Sequence, residues 1–193
     1  MPRKTLYELR KKIGVAFQGG ALFGSLSVVE NIELPLREHT RLDERTIRIM
    51  ARMKLEMMRL GGCEDLMPAE LSGGMLKRAA LARAVAMDPK LLFFDEPSAG
   101  LDPITAVELD GLIVGLKQAL KMTIVVITHE LESAFQIADR ISVMRAGRII
   151  FSGSVADVRA SPDPHVQDLL NRRSAGETED HEAYLGRLLG ERG

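Results

Sequence analysis

The sequence predicts an α/β fold built on a parallel sheet, and three observations carry that prediction. Three short apolar blocks, residues 13–17, 91–94 and 123–128, are β-branched or aromatic and hardly alternate. That is the pattern of strands covered on both faces by helices. Helical patterns lie between and around them, at 43–60, 75–86 and 105–120, and strands alternating with helices pair in parallel through crossover connections. A later hairpin, 141–144 and 148–151 turned about 145–147, adds an antiparallel piece.

Taken in order, the opening 1–14 is basic (Arg3, Lys4, Arg10, Lys11, Lys12) with no apolar core after it, so it does not read as a signal peptide. The helix over 43–60 carries Met50, Met53, Met57 and Met58. Such a stripe is core packing or an adaptable partner surface, and both readings stay open. Beyond 151, short helices are expected at 155–160 and 165–173, the second preceded by Ser161-Pro162-Asp163-Pro164. Residues 174–181 are polar and acidic and read as a linker. Tyr184, Leu185, Leu188 and Leu189 then recur at helical spacing in a tail that regains a helical pattern. There is no internal repeat.

Composition narrows the class. With 26 basic against 27 acidic residues, no global field points to nucleic acid. No apolar run approaches the ~20 residues of a membrane helix, so a cytoplasmic protein is expected, with any membrane role coming through a partner. Cys63 is the only cysteine, which excludes an intramolecular disulfide and favours a reducing compartment. It reads as a small buried residue.

Two local patterns carry chemistry. Leu91-Leu92-Phe93-Phe94 runs into Asp95-Glu96-Pro97, and an open α/β sheet binds ligands at the carboxyl ends of its strands. Asp95 there suits Mg²⁺ held through its water shell, and Glu96 suits deprotonation of an attacking water. The bland alternative is a solvated strand end before a turn. Upstream, Ser72-Gly73-Gly74 opens a helix carrying Lys77, Arg78 and Arg83. Free N–H groups and the helix dipole make such a start an anion site, whereas the plainer reading makes Ser72 an N-cap and the glycines a turn.

The order of the motifs decides between these readings. Gln18 follows the first strand; Ser72-Gly73-Gly74, the Asp95-Glu96 strand end, Ser98-Ala99-Gly100-Leu101-Asp102 and a strand ending in Thr128-His129-Glu130 come after it. In this the chain resembles ABC-transporter ATPases up to about Gly153. The resemblance implies a P-loop NTPase fold over 1–173, with a helical signature subdomain at about 25–88 and a linker and helical tail at 174–193. It implies ATP and Mg²⁺ as ligands. Gln18 resembles the Q-loop glutamine that meets Mg²⁺ and the water. Ser72, Gly73 and Gly74 resemble the signature motif on the γ-phosphate held by the opposite subunit. Asp95 and Glu96 resemble the Walker B aspartate and catalytic glutamate, Asp102 the D-loop aspartate, and His129 the switch histidine.

Two departures stand out. Met75 replaces the usual glutamine after Ser-Gly-Gly, and no G-x-x-x-x-G-K-[ST] occurs, nor any Gly followed by Lys. The family carries that P-loop upstream of the Q-loop, so the chain reads as an ABC ATPase without its N-terminal Walker A region and first strands. Autonomous hydrolysis by such a chain is doubtful. The alternatives are a fragment of a catalytic subunit or a non-catalytic interaction subunit. ABC proteins outside transport usually carry two cassettes or long insertions, neither of which is present.

Residues 17–23 (FQGGALF), 34–40 (LPLREHT), 67–75 (MPAELSGGM) and Asp102-Pro103-Ile104-Thr105 further resemble the Mla/Mce-type ATPases of phospholipid transport. That resemblance implies a homodimer on the inner face of the inner membrane, under an integral-membrane permease. An Mce-domain lipid-binding protein and a STAS-domain protein are implied as further partners, and no nucleic acid.

Overall fold

A computed structural model describes residues 3–171. The predicted linker and tail at 174–193, and the end of the helix expected over 165–173, lie outside the described residues. The chain divides at Ile137 into two compact units.

The first unit runs α1 (Arg3–Arg10), β1 (Ile13–Ala16), α2 (Val28–His39), α3 (Glu44–Met57), α4 (Gly73–Ala84), β2 (Leu91–Asp95), α5 (Pro103–Leu120), β3 (Thr123–Ile127) and α6 (Leu131–Ile137). All three predicted strands form, and they pair in parallel in the order β1-β2-β3. The register sets Ala16 beside Phe94 and Asp95 beside Ile127.

Helix α2 lies in the expected helical subdomain but was not singled out as a helical pattern, and it holds Pro35 inside it although proline normally breaks a helix interior. Two features hold it. A capping box joins its start: Glu30 N–H donates to Ser27 Oγ, and Ser27 N–H donates to Glu30 Oε2 at 2.7 Å. Its apolar face is also fully inside, with Val28, Val29, Ile32 and Leu36 all buried. Tertiary packing of that face outweighs the local penalty. Asn31, fully buried, donates from Nδ2 to the carbonyls of Phe23, Leu26 and Ser27 and accepts from Phe23 N–H. It thereby fixes the loop between β1 and α2.

Helix α3 starts on the Asp43 cap. Of its methionine stripe, Met58 is in the core, Met50 and Met57 pack against it, and Met53 is exposed. Core packing therefore accounts for most of the stripe. Cys63 also packs against the core.

One expectation fails. The strands were read as covered on both faces, yet burial alternates strongly along them. Gly14, Ala16, Leu92 and Phe94 are buried on one face, where Ile124 and Val126 join the same core. Val15, Phe17, Val125 and Ile127 on the other face are 41%, 52%, 39% and 50% exposed. Among the described residues, one face only is packed. The pattern misled because both faces carry apolar side chains, and periodicity cannot separate an apolar residue that is covered from one that is not.

The second unit is the predicted hairpin, β4 (Ile141–Arg145) and β5 (Arg148–Gly153), antiparallel about Ala146 and Gly147, both at positive φ. Helices α7 (Val155–Arg159) and α8 (Pro164–Leu170) follow, capped by Ser154 and Asp163. No helix among the described residues is long and apolar enough to cross a membrane.

Candidate functional site

Parallel strands in register deliver their carboxyl ends to one edge of the sheet. Here that edge receives Gln18 after β1, Asp95 and Glu96 at the end of β2, and Thr128 and His129 after β3. Asp95 still belongs to the ladder, opposite Ile127. Glu96 leaves it abruptly, with φ at +46°, a region non-glycine residues rarely occupy. Its N–H nonetheless reaches the Ile127 carbonyl at 2.8 Å.

The Glu96 side chain is held by two neighbours. Thr128 Oγ1 donates to Oε2 at 3.1 Å, and His129 Nδ1 lies 2.8 Å from Oε1. Thr128 Oγ1 in turn accepts from Glu130 N–H at 3.0 Å, which orients the hydroxyl. The hydrogen bond to Glu96 and then its charge push the His129 imidazole above its ordinary pKa, with Glu130 adding a smaller pull. The result is a carboxylate whose two oxygens have separate, directed partners. Asp95, half-buried beside it, has no hydrogen-bond donor among the described residues.

A second group gathers at the start of α4. Ser72 is its N-cap and accepts from Met75 N–H at 3.3 Å. A Cβ on Gly74 would sit 2.5 Å from Thr105 Cγ2, so only glycine allows α4 and α5 to approach this closely. Asp102 caps α5 by accepting from Ile104 and Thr105 N–H. These bonds, the Thr105 side chain foremost, hold its carboxyl below the usual range. The signature-like and D-loop-like residues thus touch one another through Thr105. Gln18 is exposed in the turn closed by Gly20 N–H and the Phe17 carbonyl.

The basic residues of α4 are all engaged by the protein itself. Arg78 pairs with Glu108, Arg83 donates to the carbonyls of Ala21 and Gly20, and Lys77 donates to the main-chain carbonyl of Glu96 at 2.9 Å. Protein partners take all three, which leaves Ser72 and the glycine N–H groups as the features an anion could use. The role of Lys77 was missed. The available signal was its position in the helix, in step with buried Gly74 and Leu81, where a charged residue needs a specific partner.

A family model described as ABC transporter matches residues 1–99. The chain belongs to the ABC transporter family. Over 176 residues, 91% of the chain, it is 44% identical to the intermembrane phospholipid transport system ATP-binding protein MlaF of Haemophilus influenzae. It is 45% identical over 171 residues, 89% of the chain, to the protein of the same name from Escherichia coli K12. It spans 67% and 64% of these relatives' own lengths. Among solved structures, the dimeric ATP-binding cassette MJ0796, in a post-hydrolysis state bound to ADP and Pi, superposes with a TM-score of 0.72 at 31% identity. That match covers 80% of this chain and 68% of the cassette. An ABC cassette is an α/β fold with a parallel sheet, as the sequence predicts.

Proposed function

We propose that this protein is the ATP-hydrolysing subunit of a phospholipid transporter, acting as a homodimer under an integral-membrane permease on the cytoplasmic face. The observation that carries the catalytic part is Glu96. It stands at the carboxyl edge of a parallel sheet, its two oxygens held by Thr128 and His129 and Asp95 beside it. A general base must be positioned first and tuned second. Glu96 orients and deprotonates the attacking water, and the His129 imidazole, drawn toward its charged form by Glu96, stands where the γ-phosphate gathers negative charge. Ser72, Gly73 and Gly74 offer a hydroxyl and backbone N–H groups to a phosphate, and Asp102 lies against them through Thr105.

The described residues hold no group of three or more metal-ligating side chains. Mg²⁺ commonly takes one or two carboxylates and completes its shell with water and substrate phosphates, and the Asp95 carboxyl at the strand end suits that. Asp95 would hold it, with Gln18 reaching the same edge, and the ion would neutralise charge on the transferring phosphoryl group. The lipid substrate rests on the likeness to the two MlaF proteins, and the dimer on the likeness to the cassette. An Mce-domain protein and a STAS-domain protein are further partners of this reading.

The test is hydrolysis by the full-length gene product reconstituted with its permease in liposomes. Mg²⁺-dependent phosphate release that rises with transportable phospholipid is expected. Release that is absent, or indifferent to lipid, contradicts the catalytic or the lipid assignment respectively.

A further inference from the structure

Glu96 occupies the left-handed backbone region, which a side-chain-bearing residue holds only when its surroundings over-determine it. Its N–H is fixed by the Ile127 carbonyl at 2.8 Å. Its own carbonyl accepts from Lys77 Nζ at 2.9 Å and, at the longer distance of 3.4 Å, from the Ala99 N–H. Lys77 is only 7% exposed, although lysine is almost never buried without a partner. Burial pushes its pKa down, and the charge of Glu96 pulls it back up.

We propose that Lys77 is a positioning residue: by gripping the Glu96 carbonyl it holds the left-handed turn that aims the Glu96 carboxylate at Thr128 and His129. The inference rests on the reading of Glu96 as the general base and deepens it. If the peptide relaxed toward extended geometry, the side chain would swing across the strand axis, because successive side chains of an extended strand point to opposite faces. It would then leave both partners. A charge-assisted bond to the carbonyl opposes that rotation at its pivot. Lys77 also rides on the helix that begins at Ser72-Gly73-Gly74. A shift of that helix start therefore moves the grip on Glu96, which links the two groups of the site inside one chain.

The experiment compares Lys77→Met, Lys77→Gln, Lys77→Arg and Glu96→Gln in the full-length gene product, with kcat and KM for ATP and amide exchange at Glu96. Lys77→Met should lower kcat by about 10–100-fold, the effect of misplacing a reacting group. KM should stay unchanged and the Glu96 amide should exchange faster. Lys77→Arg, which keeps a cationic donor, should recover most of the rate. If Lys77→Met does not fold, Lys77→Gln carries the same prediction, being neutral and too short to reach the carbonyl. Wild-type kcat in the neutral variants, with Glu96→Gln inactive, overturns this proposal alone. So does a rise in KM that accounts for the whole loss, since it would place Lys77 on the nucleotide. If wild type does not hydrolyse ATP, or Glu96→Gln is as active as wild type, the reading of the site itself fails.

Discussion

The helical layer α2–α4 and the three-stranded sheet both carry apolar faces, yet they are stabilised differently. The helical layer buries most of its apolar residues, Ile49 and Met53 excepted, Asn31 bonds the preceding loop, and Lys54 pairs with Asp88. The sheet is packed on one face and open on the other, where Val15, Phe17, Val125 and Ile127 are exposed. The site stands where the two regions meet. Its edge comes from the sheet, but a residue of the helical layer, Lys77, donates to the main-chain carbonyl of Glu96. On the function proposed above, strand ends supply the reactive groups and helix packing supplies their aim.

The contrast can be broken most forcefully inside the helical layer. Asn31→Leu removes the side-chain bonds to part-buried main-chain groups, Phe23 N–H and the carbonyls of Phe23, Leu26 and Ser27, at up to about 1–3 kcal/mol for each group stranded. The melting temperature should fall sharply and the loop beyond Gln18 should loosen, as calorimetry and hydrogen exchange would show. The open sheet face predicts a different failure. Apolar surface of this kind favours association, so the 193-residue chain alone should self-associate at micromolar concentration. Val125→Thr with Ile127→Thr should reduce that association, read by sedimentation, with little change in the helical layer's exchange protection.

A smaller effect belongs to Asp110, buried on α5 and accepting from Ser133 of α6 at 2.7 Å. Burial raises its pKa, partly countered by that hydrogen bond. A carboxyl with a raised folded pKa contributes stability below its unfolded pKa and loses it as pH rises through the folded value. Asp110→Asn should therefore melt higher than wild type at neutral pH, with the gain vanishing on acidification below the ordinary carboxylate range. Thermal melts from about pH 3 to about pH 8 measure it. The smallest effect is local. The His129 imidazole should titrate above its ordinary value by NMR and return toward it in Glu96→Gln, because Glu96 is the larger cause of the shift.

Much of this was legible in the sequence for physical reasons. Apolar blocks at 91–94 and 123–128 form strands because they have a buried face, and parallel register then forces Asp95, Glu96 and His129 to one edge. Less legible was anything decided by contacts distant along the chain. Helix α2 was not singled out within the helical subdomain, and its stability comes from burial. The open sheet face was invisible because exposed Val125 and half-buried Val126 read alike. Lys77 read only as one of three basic residues on a helix. Only the fold shows that Arg78 and Arg83 are engaged elsewhere and that Lys77 meets a main-chain carbonyl. Ser72 as N-cap shows its plainer reading holding geometrically, whereas Gly73 and Gly74 stand in the first turn of α4 rather than in a separate turn, alongside the phosphate role proposed for them.

The most direct test of the account is Glu96→Gln in the full-length gene product, with phosphate release and ATP-dependent dimerisation measured on the same preparation. The substitution keeps the shape of the side chain and its acceptor for Thr128 while removing the base. Hydrolysis should fall by about 10²–10⁴, the range for losing a positioned general base, while ATP still binds and the dimer stays closed on it. Hydrolysis at the wild-type rate would contradict the central claim and remove Glu96 from the chemistry.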